Sequence, residues 1–150
     1  MVPPLRPQTV LVTRSAGQSS QFSQLLGDAG LKVVEMPALE IRPPSDWQPL
    51  DNAIHQLADY DWLILSSANA VTFFWQRLMA VGRPADLDTV KLAVVGKKTA
   101  SVLKRYGMQA DFIPPDFVAD ALVATFPEVV QGLKLLFPRV ESGGREVLVK

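Results

Sequence analysis

The sequence predicts an α/β protein built on a mainly parallel sheet. Short apolar runs rich in β-branched residues alternate with amphipathic helix patterns along the chain, an order that gives parallel strands joined by right-handed crossovers. Gly and Pro punctuate the alternation: Gly30 and Gly107 stop helix patterns, Pro114 and Pro115 close a strand, and Pro127 follows a helix. Four apolar runs close on small, hydroxyl-bearing or basic residues just where a helix pattern begins: Val10 to Ser20, Leu63 to Val71, Leu92 to Ala100 and Leu135 to Glu146. In parallel sheets, ligands bind beyond the carboxyl ends of the strands. Helix N-termini there present unpaired N–H groups and the positive end of a dipole, so the pattern points to an anionic ligand.

In order, Thr9 to Thr13 reads as a buried strand, and Phe22, Leu25, Leu26 and Ala29 fall on one helix face. Leu31 to Met36 is the second strand. Glu40 to Pro49, Pro-rich and polar, reads as a linker. Leu50, Ala53, Ile54 and Leu57 form a helix face, and Trp62 to Leu65 a strand. Val71, Phe74, Trp75, Leu78 and Met79 give the clearest amphipathic helix. Phe73, Phe74 and Trp75 within it read as core and its margin. Gly82 to Asp88 reads as a loop and Leu92 to Val95 as a strand. Thr99, Val102, Leu103 and Tyr106 form the next helix face, and Ala110 to Ile113 the next strand. Ala119, Leu122, Val123 and Phe126 share a helix face, and Leu133 to Phe137 is the last strand. Two organisations stand open at this point: a first domain begun by the early strand–helix–strand and separated by the linker, or a single sheet holding every strand with 40–49 as a surface loop.

Composition narrows the function. Lys plus Arg equals Asp plus Glu at 15 each in 150 residues, a balance unlike the basic excess of nucleic-acid proteins. No apolar run approaches the roughly 20 residues that span a bilayer, and MVPPLRPQ has no apolar signal region. With no Cys, disulfides and thiolate chemistry are excluded. These features predict a cytoplasmic protein with neither nucleic-acid nor membrane partners. The one His, His55, lies on the polar side of its helix, which leaves no usual zinc site and no hydrolase triad. Neither a G-x-x-x-x-G-K-[ST] loop nor G-x-G-x-x-G is present.

The candidate residues are those at the strand ends. Ser66, Ser67 and Asn69 suit helix capping, and the same groups suit a bound carboxylate. Gly96 lets a ligand meet backbone, Lys97 and Lys98 add charge, and Thr99 falls in the first helical turn. Arg14 and Arg139 follow the first and last strands, where a guanidinium forks onto carboxylates or forms an ordinary surface ion pair. Asp61 reads as a turn residue. Arg145 with Gly143–Gly144 reads as an anion nest or a flexible turn. Ser142 to Lys150 looks like a helix just starting, so a longer chain is expected.

Together the stretches VLVTR with the following AGQ, VVEMPALEIRP, YDWLILSSANAV, LAVVGKKTA with its downstream YG, IPPDFVADAL and LLFPRVESGGREVL resemble the uroporphyrinogen-III synthase family, in family order across essentially the whole chain. Two departures stand out. Ser15 occupies a position that is often Pro in the family, and the family's Tyr beyond the last motif has no counterpart before Lys150. The resemblance implies a flavodoxin-like or Rossmann-like two-domain α/β architecture: 1–39 begins a discontinuous domain, 40–49 links, and 50–150 forms most of a continuous one. It implies a cofactor-free, metal-free lyase acting on hydroxymethylbilane, a linear tetrapyrrole with eight carboxylates, in tetrapyrrole (haem, chlorophyll, cobalamin) biosynthesis. It places Arg14, Ser66, Ser67, Asn69, Gly96, Lys97, Thr99 and Arg139 at a substrate cleft, assigns no proton-transfer residue, and implies a monomer when the chain is complete. The readings set against it are a non-catalytic α/β anion-binding module and an inactive fragment acting in assembly as an intertwined dimer.

Overall fold

The computed structural model describes residues 8–38, 40–116 and 119–141. The chain divides into two compact units, Met1–Pro43 and Pro44–Lys150. The expected helix start at 142–150, with Arg145 and the Gly143–Gly144 pair, lies outside the described residues.

The first unit is a strand–helix–strand. β1 (Thr9–Val12) and β2 (Lys32–Glu35) pair in parallel around α1 (Ala16–Asp28). Val12 is buried, whereas the register partners Leu11 and Val34, pointing the other way by the period of two, are 52% and 41% exposed. Phe22 and Leu25, expected on the packed face of α1, are also exposed. A two-stranded sheet with one helix offers too little surface to cover every apolar side chain.

The second unit begins with α2 (Gln48–His55), followed by a 3-10 turn at Leu57–Asp59. Ile54 and Leu57 are fully buried there. β3 (Trp62–Leu65) is buried along its whole length. α3 (Ala68–Ala80) returns to β4 (Lys91–Val94), and α4 (Lys97–Arg105) follows. α5 (Ala119–Ala124) then leads to β5 (Leu135–Leu136). The strands lie in the order β4-β3-β5, all parallel, and Phe112 adds a parallel bridge outside β4 at Ala93. Among the described residues the strands form two sheets, one in each unit.

Alternation along β3 serves two cores. Leu63 and Leu65 pack with Leu92, Val94, Ile54, Val71, Phe74, Leu78 and Leu103 beneath α2, α3 and α4. Trp62 and Ile64 pack on the opposite face with Ala93 and Leu122 of α5, edged by Phe112, Phe126 and Phe137. The winding thus runs outward from β3 on one face, then crosses to the other face to reach β5.

Several expectations need correction. Met79 is half exposed: it stands about 80° round α3 from Val71, at the rim of the packed stripe. Val123 points outward from the short α5. The expected loop Gly82 to Asp88 contains a 3-10 helix, Pro84–Thr89, which brings Leu87 into the core. Ala110 to Ile113 shrinks to the bridge at Phe112. The Asp111 carboxylate accepts the Leu92 N–H at 2.7 Å, and Pro114 and Pro115 have no N–H to extend the ladder. The last strand shortens to two residues because Leu133 N–H turns back to the Val130 carbonyl (3.1 Å) and Pro138 cannot donate.

Candidate functional site

The carboxyl ends of β3, β4 and β5 share one edge of the sheet in the second unit. Leu65 accepts the N–H of Val95 at 3.4 Å, a last rung between β3 and β4. Strand ends so paired stand about 4.8 Å apart, which puts Ser66 beside Val95 and next to the turn at Gly96. On the other side Leu63 pairs with Leu136, so the segment from Phe137 to Arg139 leaves the sheet beside the turn from β3 to α3. In strand order this is the reversal point, where the chain goes one way from β3 to β4 and returns on the other side at β5. Open parallel sheets hold their ligands in the crevice at that point.

Ser67 caps α3. Its backbone is extended, and its Oγ accepts the Ala70 N–H at 3.1 Å. The capping expectation therefore holds for Ser67, whose hydroxyl hydrogen still donates. Ser66 is half-buried, and Asn69 is exposed in the first turn of α3. Gly96 caps α4 with φ 88° and ψ 153°, a region open essentially to Gly alone. Lys97 and Lys98 follow, both exposed, and Thr99 is only 4% exposed on the stripe of α4 that also buries Leu103.

The electrostatics of this edge are unusual. Acidic residues normally favour the first helical turn, and cations there oppose the dipole. The first turns of α3 and α4 contain no acid, and α4 opens with two lysines. Two helix starts without acidic residues, together with basic side chains, give this edge a positive bias.

Arg139 stands exposed three residues beyond β5. Arg14 follows β1 in the first unit, with its guanidinium 5.8 Å from the centre of the Phe22 ring. The structure thus brings Ser66, Ser67, Asn69, Gly96, Lys97, Thr99 and Arg139 to one sheet edge, and Arg14 belongs to the other unit. Asp61 and His55 lie elsewhere. The Asp61 carboxylate accepts the Lys134 N–H at 2.8 Å at the opposite end of β3, as a turn residue does. The His55 ring Nδ1 meets the Asp51 carbonyl at 2.7 Å. Among the described residues no cluster of His, Asp or Glu could hold a metal ion, and no helix is long and apolar enough to cross a membrane.

One contact next to the site was not foreseen. Glu141 accepts from both the N–H and the Oγ–H of Ser45, at 2.8 and 2.7 Å. Those hydrogen bonds hold the Glu141 carboxyl below its ordinary value. The partners are 96 residues apart, and no periodicity or motif joins them.

Strand order and helices on both faces define a doubly wound parallel α/β unit with its strand reversal between β3 and β5. A model of the family described as Uroporphyrinogen-III synthase HemD matches residues 20–150. The chain belongs to the uroporphyrinogen-III synthase family. It is 55% identical over 147 residues to the uroporphyrinogen-III synthase of Synechococcus elongatus, covering 98% of this chain and 56% of that protein. It is 33% identical over 137 residues to the uroporphyrinogen-III synthase of Chlorobaculum parvum, covering 88% of this chain and 53% of the relative. The fold is similar to that of a Thermus thermophilus uroporphyrinogen III synthase crystal structure, with a TM-score of 0.64 at 17% identity over 81% of this chain and 48% of that one. The chain spans about half the length of these relatives.

Proposed function

We propose that this chain supplies one part of a uroporphyrinogen-III synthase, a carbon–oxygen lyase. The enzyme closes hydroxymethylbilane to uroporphyrinogen III with loss of water and inversion of the terminal pyrrole ring. The observation that carries the proposal is the shared edge where two acid-free helix N-termini, Lys97 and Arg139 converge. Loss of water from an electron-rich pyrrole gives a delocalised cation without strong acid–base groups. What remains is to fold a flexible polyanion so that the substituted ring carbon meets that cation, which is a problem of positioning. Backbone amides at helix ends hold carboxylates without reorganising.

In this reading Ser66, the Ser67 hydroxyl, Asn69, Thr99 and the amides after Gly96 take substrate carboxylates, with Lys97 and Arg139 supplying charge. Arg14 is a further candidate for a substrate carboxylate. The first unit, 1–39, begins a discontinuous domain, 40–49 links, and 50–150 forms most of a continuous domain. The exposed apolar residues Leu11, Leu25 and Val34, and a length about half that of the relatives, support completion of the first domain by further chain. The completed enzyme works as a cytoplasmic monomer.

The test is isomer analysis of the porphyrin formed from hydroxymethylbilane, with the 150-residue chain beside a form extended to the length of the relatives. Type III isomer from either supports the proposal. Type I alone from both, with both shown to be folded, is the product of spontaneous closure and overturns it.

A further inference from the structure

The approach to Arg139 is held at both ends. Upstream, Leu136 pairs with Leu63, and Phe137 packs against the Trp62–Leu122 core. Pro138 fixes its own φ. Downstream, the Glu141 carboxylate is bonded twice to Ser45. Only Arg139 and Val140 span the gap, and both are exposed.

Ser45 is itself held. Asp46 Oδ1 accepts the Gln48 N–H at 2.8 Å. The ring of Trp47 lies under the Arg77 guanidinium at 4.9 Å, and Arg77 binds Asp51 in α2. The linker segment from Ser45 to Trp47 is thus fastened to the second unit, just past the division between units at Pro43 and Pro44. A carboxylate two residues from an Arg that takes anionic ligands would ordinarily repel them. With both hydrogen bonds to Ser45 in place, the charge of Glu141 is engaged on the side of the linker.

We infer that Glu141 is a positioning residue: by binding Ser45 it holds the Phe137–Glu141 segment so that Arg139 meets a substrate carboxylate. The inference rests on Arg139 binding substrate, as proposed above, and it makes the linker residue Ser45 part of the ligand site's scaffold.

Two measurements test it, the first on the 150-residue chain and the second on a form of the protein that yields type III isomer. The chain has no Cys, so Val140→Cys carries a spin label at a single site. The label is expected to be restrained with Glu141 present and to become mobile with Glu141→Ala. Unchanged label mobility overturns the inference. The second measurement is steady-state kinetics, with melting curves to check that each variant is folded. Glu141→Ala should raise KM about fivefold with little change in kcat, the scale of one or two exposed hydrogen bonds. Glu141→Gln, which keeps an acceptor oxygen, should restore most of the loss. Adding Glu141→Ala to Arg139→Ala should cost nothing further, because the first change acts through Arg139. Additive losses, or Glu141→Gln as impaired as Glu141→Ala, overturn the inference. Absence of type III isomer from every form of the wild-type protein strikes instead at the proposed function and removes the role given to Arg139, whereas the label then still reports whether the Ser45 contact orders the segment.

Discussion

Arg77 of α3 grips the carboxylate of Asp51 in α2 through both Nε and Nη2, while its guanidinium covers the ring of Trp47. One side chain thus fastens the first helix of the second unit, and the linker residue before it, to the longest helix of that unit. The hydrogen bonds from Arg77, and then its charge, hold the Asp51 carboxyl below its ordinary value despite partial burial.

That lowered value sets a pH dependence. The folded form binds the Asp51 proton more weakly than the unfolded chain does. The stabilisation is therefore fully present above the ordinary carboxylate value of about 3.9 and is lost as pH falls toward and past the lowered folded value. Melting temperature followed from pH 6 down to pH 2 should fall more steeply in the wild type than in Asp51→Asn. Parallel profiles for the two would show that the pair contributes nothing.

Gly96 leaves no room for choice of residue. Gly96→Ala forces a side chain into φ 88°, at a cost of about 1–3 kcal/mol. The urea midpoint should drop accordingly, with the slope unchanged. An Ala variant as stable as the wild type would mean that the turn into α4 adopts another conformation.

Thr99 separates packing from binding. Thr99→Val keeps the branched shape on the buried stripe beside Leu103 and deletes only the hydroxyl. Stability should change by no more than about 1 kcal/mol, while KM for hydroxymethylbilane rises in the extended form. Unchanged kinetics would return Thr99 to a purely structural role.

The first unit supplies a contrast between two lengths. Leu25 is 62% exposed in the 150-residue chain, where Leu25→Asp should shift stability by no more than about 0.5 kcal/mol, as surface changes do. In the form extended to the length of the relatives, the same change should destabilise by considerably more if further chain covers α1. Equal, small effects in both forms would argue against a discontinuous first domain.

What could be read from residues, and what could not, divides along physical lines. Trp62 to Leu65 was legible because four apolar residues in a row, bounded by Asp61 and Ser66, suit a strand covered on both faces. The stripes of α3 and α4 were legible down to Thr99, since helical period dictates which residues share a face. The Pro84–Thr89 3-10 helix was not, because Pro and Asp there read equally as loop. The loss of Ala110 to Ile113 as a strand came from the Asp111 side chain replacing a backbone acceptor, a substitution that no periodicity reveals. The strand-end residues of the second unit were found because local patterns place them after strands. The Ser45–Glu141 contact was missed because it depends on which strand lies beside β3, a fact of topology rather than of spacing.

The double service of β3 also shapes how the chain is made. Asp61, at its start, bonds to Lys134, 73 residues later. At ribosomal speeds of about 5–20 residues per second, roughly 4–15 s pass between the emergence of the two. During that interval Trp62 and Ile64 lack the neighbours that β5 brings, and one edge of the strand lacks its partner. An apolar strand edge left open for seconds is a site for misassociation. Until β5 is made, one edge of β3 stays open even after β4 has paired with it.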